Sequence, residues 1–262
     1  MFELLQKRIA SRRIPRLCAT AIALWACVCG AAFAADDDSE SKPFLFPTTK
    51  DFPKLPTTGP TTKAFLPKHF HVIARAQGDL NHDGLSDQAL VIQATYPKFV
   101  QKNSNLGSVS FDTNPRALVV LFKNSSGAYA LAEQNWYIIG IPESPTIENP
   151  FQSISITNKS ILKVDLQMFE NAGSWWMSND SFKFRWDGHR LALIGYDSRS
   201  QSRASGQYTK LSCNFLTGQK RVDDCTEEPG KVKVEKSLLN KKTCYLKDFA
   251  HQNDWTELPE KF

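Results

Sequence analysis

Phe182-Lys183-Phe184-Arg185-Trp186-Asp187-Gly188-His189-Arg190-Leu191-Ala192-Leu193-Ile194 is the stretch on which the fold turns. Apolar and charged residues alternate up to Trp186, the period of a strand with one buried and one wet face. Asp187-Gly188 then interrupts the run, and Asp-Gly between two such runs is among the strongest local hairpin signals. Working outward, Ala89-Leu90-Val91-Ile92, Ala117-Leu118-Val119-Val120-Leu121-Phe122 and Ile154-Ser155-Ile156-Thr157 also suit strands. Lys123-Asn124-Ser125-Ser126-Gly127 and Asn158-Lys159-Ser160 supply turn chemistry between them. Tyr208 to Phe215, Leu216-Thr217-Gly218-Gln219 and Lys220 to Val222 read as a further hairpin. Sustained helical periodicity is absent from Phe65 onward. The expectation is a mainly β chain: one antiparallel β-sheet domain, sandwich or propeller-like, over residues 64–262, a size that supports a single core.

The opening of the chain has a different character. Lys7, Arg8, Arg12, Arg13 and Arg16 precede an apolar run over 17–30 and the small-residue site Ala32-Phe33-Ala34. This order predicts a secretory signal over 1–34 with cleavage after Ala34, because the run is too short for a permanent membrane span. Lipidation at Cys27 is disfavoured by Trp25, a poor fit just before an anchored cysteine. Five of the 32 basic and one of the 27 acidic residues fall in the leader, leaving 27 and 26, a net of +1. The basic balance is thus a targeting signature; no Lys/Arg-dense stripe follows, and nucleic acid is not an expected partner. Residues 35–63 carry Pro43, Pro47, Pro53, Pro56 and Pro60, which block helix and ladder alike and predict an extended arm. Phe44, Phe46 and Phe52 could strap that arm onto the domain. It contains a short echo, Pro47-Thr48-Thr49-Lys50 against Pro60-Thr61-Thr62-Lys63, too brief to mark a repeat architecture.

Beyond the leader three cysteines remain, Cys213, Cys225 and Cys244. In an oxidising periplasmic or extracellular compartment that count suggests one disulfide and one spare thiol. Connectivity is not fixed by sequence. Cys225 with Cys244 is the preferred pair, because the charged segment between them needs tethering and Cys213 sits in a strand pattern.

The chemistry-bearing motif is Gly78-Asp79-Leu80-Asn81-His82-Asp83-Gly84-Leu85-Ser86-Asp87. With Asp79 as the first position, Asn81, Asp83 and Asp87 fall at alternate positions, and a curling backbone turns their oxygens toward one centre. Leu85 would add its backbone carbonyl, and Gly84 stands at the sharp turn. Hard oxygen donors of this kind suit Ca²⁺. Leu90 occupies the position where an EF-hand needs a bidentate Glu, and a strand pattern follows, so neither an EF-hand nor a dockerin is expected. Solvated Asx turns before a strand are the bland alternative.

Weaker constellations surround it. His69 and His71 would share a face of a strand, but a zinc site needs a third ligand. Trp175 and Trp176, with Trp186 and Tyr196, offer stacking faces, at most one of the two adjacent tryptophans belonging to a given platform. No GxSxG elbow, HExxH, P-loop or Rossmann fingerprint is present. Asp165 and Glu170 cannot be given a carboxylate separation from sequence, and Cys213 has no local base.

The loop resembles the loop-to-strand calcium motif of FG-GAP and VCBS-type repeats, over about fifteen residues. Together with Phe65-Leu66-Pro67-Lys68, Leu118-Val119-Val120-Leu121, Leu193-Ile194-Gly195 and Asn214-Phe215-Leu216-Thr217-Gly218-Gln219, it is similar to a group of bacterial secreted or periplasmic proteins with one such loop. His69 stands where that group would carry Gly. The resemblance brings no activity. The leading expectation is a calcium-stabilised binding or interaction module with a protein or glycan ligand, and, since no other segment is long and apolar enough to span a bilayer, no stable membrane insertion. The alternative is a periplasmic hydrolase acting on cell-wall or glycan material.

Overall fold

The computed structural model describes residues 43–225, 232–235 and 243–251. The expected leader, its cleavage site, the lipidation candidate and the first residues of the arm lie outside them. In chain order come β1 (Thr58–Gly59), β2 (Phe70–Gly78), β3 (Asp87–Ala94), β4 (Val100–Lys102), β5 (Ser110–Asp112), β6 (Arg116–Lys123) and β7 (Tyr129–Asn135). Then follow β8 (Phe151–Ile156), β9 (Ile161–Phe169), β10 (Trp176–Trp186), β11 (Leu191–Ser202), β12 (Tyr208–Asn214), β13 (Gln219–Asp224) and β14 (Val232–Glu235). The first group forms a five-stranded sheet in the order β1-β7-β6-β3-β2 and a separate ribbon of β4 and β5. The second forms a seven-stranded meander in chain order from β8 to β14. The chain is mainly β and antiparallel, as its patterning predicts, and it builds two large sheets.

Local chemistry explains the hairpins. Trp186 pairs with Leu191, and the intervening turn is held by Asp187, whose Oδ1 accepts the amides of His189 and Arg190, both at 2.8 Å. Gly188 takes φ 102° there, a value costly for any residue with a Cβ. At the late hairpin Asn214 pairs with Gln219, and the Asn214 side chain accepts the amides of Leu216 and Thr217.

The sheets share one core. Ala89, Val91, Leu118 and Val120 of the five-stranded sheet pack with Val164, Phe182, Phe184 and Tyr196 of the other. This is the layering of a sandwich, not the radial blades of a propeller. β3 is buried at every position, so its apolar run lacks the alternation of a half-wet strand. Leu90, Ile92, Val119 and Leu121 face the opposite way, into a second cluster closed by Leu55, Phe65, Phe70 and Trp136. Each such side chain, fully buried, is worth about 1.5–3 kcal/mol.

The proline-rich stretch adds Phe52 and Leu55 to that second cover. Phe52 stacks on Trp136 with ring centroids 5.0 Å apart, Phe44 meets Phe111 edge-on at 4.6 Å, and Lys98 pairs with Asp51 at 2.6 Å. β1 joins the sheet edge, with Thr58 opposite Ala130. Residues from Phe44 onward belong to one compact unit. Both copies of the Pro-Thr-Thr-Lys echo form a single 3₁₀ turn, Thr49–Asp51 and Thr62–Phe65; the repeated phrase is a repeated turn.

The expected disulfide is absent. Cys213, Cys225 and Cys244 form none among the described residues. Register supplies the reason. The Cys225 Sγ accepts the amide of Tyr208, which lies opposite Gln201 on β11, whereas the Cys244 carbonyl accepts the amide of Leu193. Eight residues of strand separate those two positions, about 26 Å at ~3.3 Å per residue, far beyond disulfide reach.

Candidate metal centre

The aspartate-rich segment is the hairpin loop between β2 and β3, which pair as Gly78 opposite Asp87. It is seated where the two sheets meet. A Cβ on Gly78 would lie 2.5 Å from Cγ2 of Ile156 on β8, so the backbone approaches too closely for any other residue. Leu80 is fully buried in the shared core and pins the loop from below. On the far side Ser160 Oγ stands 3.4 Å from Nδ1 of His82.

Side-chain oxygens then wind the backbone around the loop. Asp79 Oδ1 accepts the amides of His82 at 2.7 Å and Asp83 at 3.2 Å, and Oδ2 accepts that of Gly84 at 2.9 Å. Asn81 Oδ1 accepts the Asp83 amide, and Asn81 Nδ2 donates to Asp83 Oδ2 at 3.0 Å. Asp83 Oδ1 accepts the amide of Leu85 at 2.8 Å. Two residues adopt left-handed backbone, His82 at φ 64° and Gly84 at φ 82°. A Cβ at Gly84 would meet nothing within 4 Å, so the conformation and not crowding favours glycine there.

Asp87 has a different setting from the other acids. It is wholly buried, with Oδ2 accepting the Leu80 amide at 2.8 Å and Oδ1 the Lys123 amide at 2.9 Å. The carboxylate thus ties its own loop to the end of β6. Burial pushes its carboxyl above the ordinary range, and the negative charges of Asp83 and Asp79 add to that, while the two amides oppose it.

Asp79, Asn81 and Asp83 are therefore joined by hydrogen bonds, with the Leu85 amide drawn in, and Asp87 is turned toward the core. Among the described residues no three His, Cys, Asp or Glu side chains are grouped so as to hold a metal. The donor set is nonetheless entirely oxygen, which fits a hard cation such as Ca²⁺ and not zinc. Each carboxylate offers about four lone-pair sites, so those engaged with amides retain capacity for a cation.

Other sequence candidates are dispersed. His69 lies before β2 with φ 66°, and its carbonyl accepts the Thr95 amide, so it does not share a strand face with His71 as expected. Trp186 packs edge-on against Phe122 at 4.8 Å, and Tyr196 is buried with its hydroxyl donating to Asp180. Trp175 and Trp176 are 66 % and 43 % exposed, so neither is a core residue. Asp165 is held by Lys163 and Ser153. Burial raises the carboxyls of Asp180 and Glu133, which lie on different sheets. Burial also pushes the Cys213 thiol up to about 11, which suppresses the nucleophilic thiolate.

One feature escaped the sequence reading. Arg116 is buried, donating to Gln93 Oε1, the Gly140 carbonyl and Asn149 Oδ1 at 3.0, 2.9 and 2.7 Å. Gln93 passes the interaction on to Asp112 at 2.8 Å. An arginine opening a strand gives no sequence signal for such a clamp. No protein-family model matches the chain, and comparison with curated proteins and with solved structures yields no match either.

Proposed function

We propose that this chain is an exported, calcium-stabilised binding module of the bacterial periplasm or exterior. The observation that carries it is the β2–β3 loop, in which three carboxylates and an asparagine organise an amide-lined turn at the junction of the sheets. Asp79, Asn81 and Asp83 would supply side-chain oxygens, Leu85 its carbonyl, and Asp87 its remaining lone pairs at the buried end. The ion would neutralise the mutual repulsion of the carboxylates and fix the loop against Ile156 and Ser160; its role is structural. The likeness to FG-GAP and VCBS-type loops supports the same choice of ion, and the exposed Trp175 and Trp176 support a binding role over a catalytic one.

The test is a melting curve of the processed chain with Ca²⁺ and with chelator. Calcium is expected to raise the melting temperature, and Asp83→Ala to abolish the difference while leaving the chelated protein folded. Superimposable wild-type curves in the two conditions would defeat the proposal.

A further inference from the structure

The seven-stranded sheet has an inner and an outer face. Val164, Phe182, Tyr196 and Cys213 point into the shared core, so the residues alternating with them point outward. Cross-strand register gathers Arg185 of β10, Arg199 of β11 and Arg221 of β13 on that outer face, with Arg203 just after β11. The carboxylates placed outward in these strands are Asp165, Asp197 and Asp223. Each is paired with a lysine, Lys163, Lys183 and Lys210 respectively. None of the four arginines forms an ion pair with a carboxylate among the described residues. Among the described residues the paired charges cancel, and the residual charge of these strands' outer side is that of the arginines.

Aromatic rings accompany them. The Arg199 guanidinium lies 5.0 Å from the centre of the Tyr208 ring. That of Arg203 lies 4.5 Å from the Phe169 ring centre and 5.7 Å from that of Trp175. Arg203 is further held by the carbonyls of Glu170 and Ser174, both at 2.6 Å.

We infer that this outer face binds an anionic polysaccharide. Guanidinium forks take carboxylate or sulfate oxygens in pairs, and the exposed Trp175 ring, with the half-buried Tyr208 ring beside it on the face, offers an apolar surface to the C–H side of a sugar. Strands lie about 4.8 Å apart, and register sets Arg199 level with Asn179 and Arg221 level with Ser181, so the three arginines of β10 to β13 spread over roughly 14 Å across the strands and about 20 Å along them. That span suits an extended polymer with repeated acid groups and not one small anion. Charge density separates the polysaccharide from duplex DNA, which carries one charge per about 1.7 Å. Sparse arginines interspersed with carboxylates match one acid group per sugar far better. The inference rests on the binding-module reading but not on the calcium ion.

Affinity electrophoresis through gels containing dextran, dextran sulfate or polygalacturonate tests it. The full processed chain is expected to be retarded by the two anionic polymers and not by dextran. Replacing Arg185, Arg199 and Arg221 together by Ser should weaken retention at least about tenfold, or 1.4 kcal/mol, and Trp175→Ala should weaken it without changing charge. The equal-charge control, Lys50→Ser with Lys54→Ser and Lys63→Ser on exposed positions elsewhere, should bind as wild type. Melting curves certify that each variant is folded. Retention unchanged in the arginine triple, equal loss in the lysine control, or tighter binding of duplex DNA than of either polymer would each overturn the inference. Runs with Ca²⁺ and with chelator keep the two ideas apart. Retention indifferent to calcium leaves this inference standing, and calcium-dependent melting without retention removes it alone.

Discussion

Replacing Asp87 by Asn keeps the size of the side chain and removes its charge and one acceptor. In the native loop both carboxylate oxygens are used, by the Leu80 amide at 2.8 Å and the Lys123 amide at 2.9 Å. An asparagine can satisfy only one of them, and its NH₂ group then faces the other N–H in a site with no exposure to water. Loss of a charge-assisted hydrogen bond and a buried donor left unpaired together cost about 2–4 kcal/mol. In a domain of this size that corresponds to a fall in melting temperature of about 4–16 °C. The loss should already appear in chelator, because the bonds to Leu80 and Lys123 need no ion, and should be larger in calcium, where a ligand charge is lost as well. Asp83→Ala differs in kind: Asp83 is exposed, so its replacement should remove mainly the calcium-dependent part. Thermal melts of the three proteins in both buffers make the comparison. An Asp87→Asn protein melting within about 2 °C of wild type in chelator would refute the clamp, since that shift is smaller than one such hydrogen bond commands.

Gly78→Ala should destabilise by about 1–3 kcal/mol, as its methyl would press on Cγ2 of Ile156 at 2.5 Å; denaturant unfolding should show part of that loss recovered in the Ile156→Ala background, and strictly additive effects would contradict the close approach. Cys213, buried with its thiol pushed up to about 11, should resist iodoacetamide at neutral pH until denaturant is added, as read by mass spectrometry of its peptide; rapid alkylation of the native chain would refute its placement.

The strands legible in the sequence were those whose local chemistry agrees with their tertiary role. β10 and β11 announce themselves by alternation around Asp187-Gly188, and β3 and β6 by apolar runs. β7 is different. Tyr129-Ala130-Leu131-Ala132-Glu133-Gln134-Asn135 is rich in helix formers, and it is a strand because β6 and β1 pair with its two edges. β9, Ile161-Leu162-Lys163-Val164-Asp165-Leu166, alternates cleanly enough to have been found by the rule that found β10. The residues of the aspartate-rich loop could be named because they lie close together in the chain. What Asp87 does could not, since its partner amide at Lys123 is brought by β6. The arginine face was equally invisible in one dimension: no basic stripe exists along the chain, and only strand register brings Arg185, Arg199 and Arg221 to one side.

The double-sided burial of β3 and β6 has a consequence for how the chain reaches its native state. Their second face is closed by residues made early, yet the partners of those residues come late: Thr113 donates to the carbonyl of Leu45 across 68 residues, and Thr58 waits for Ala130. Closing contacts of that separation is slow. Until the strap docks, the apolar ribbon of Leu90, Ile92, Val119 and Leu121 lacks part of its cover, and partly covered apolar strands are of the sort that self-associate. Refolding yield, more than final stability, should therefore register any shortening of the segment that carries Phe44, Phe52 and Leu55.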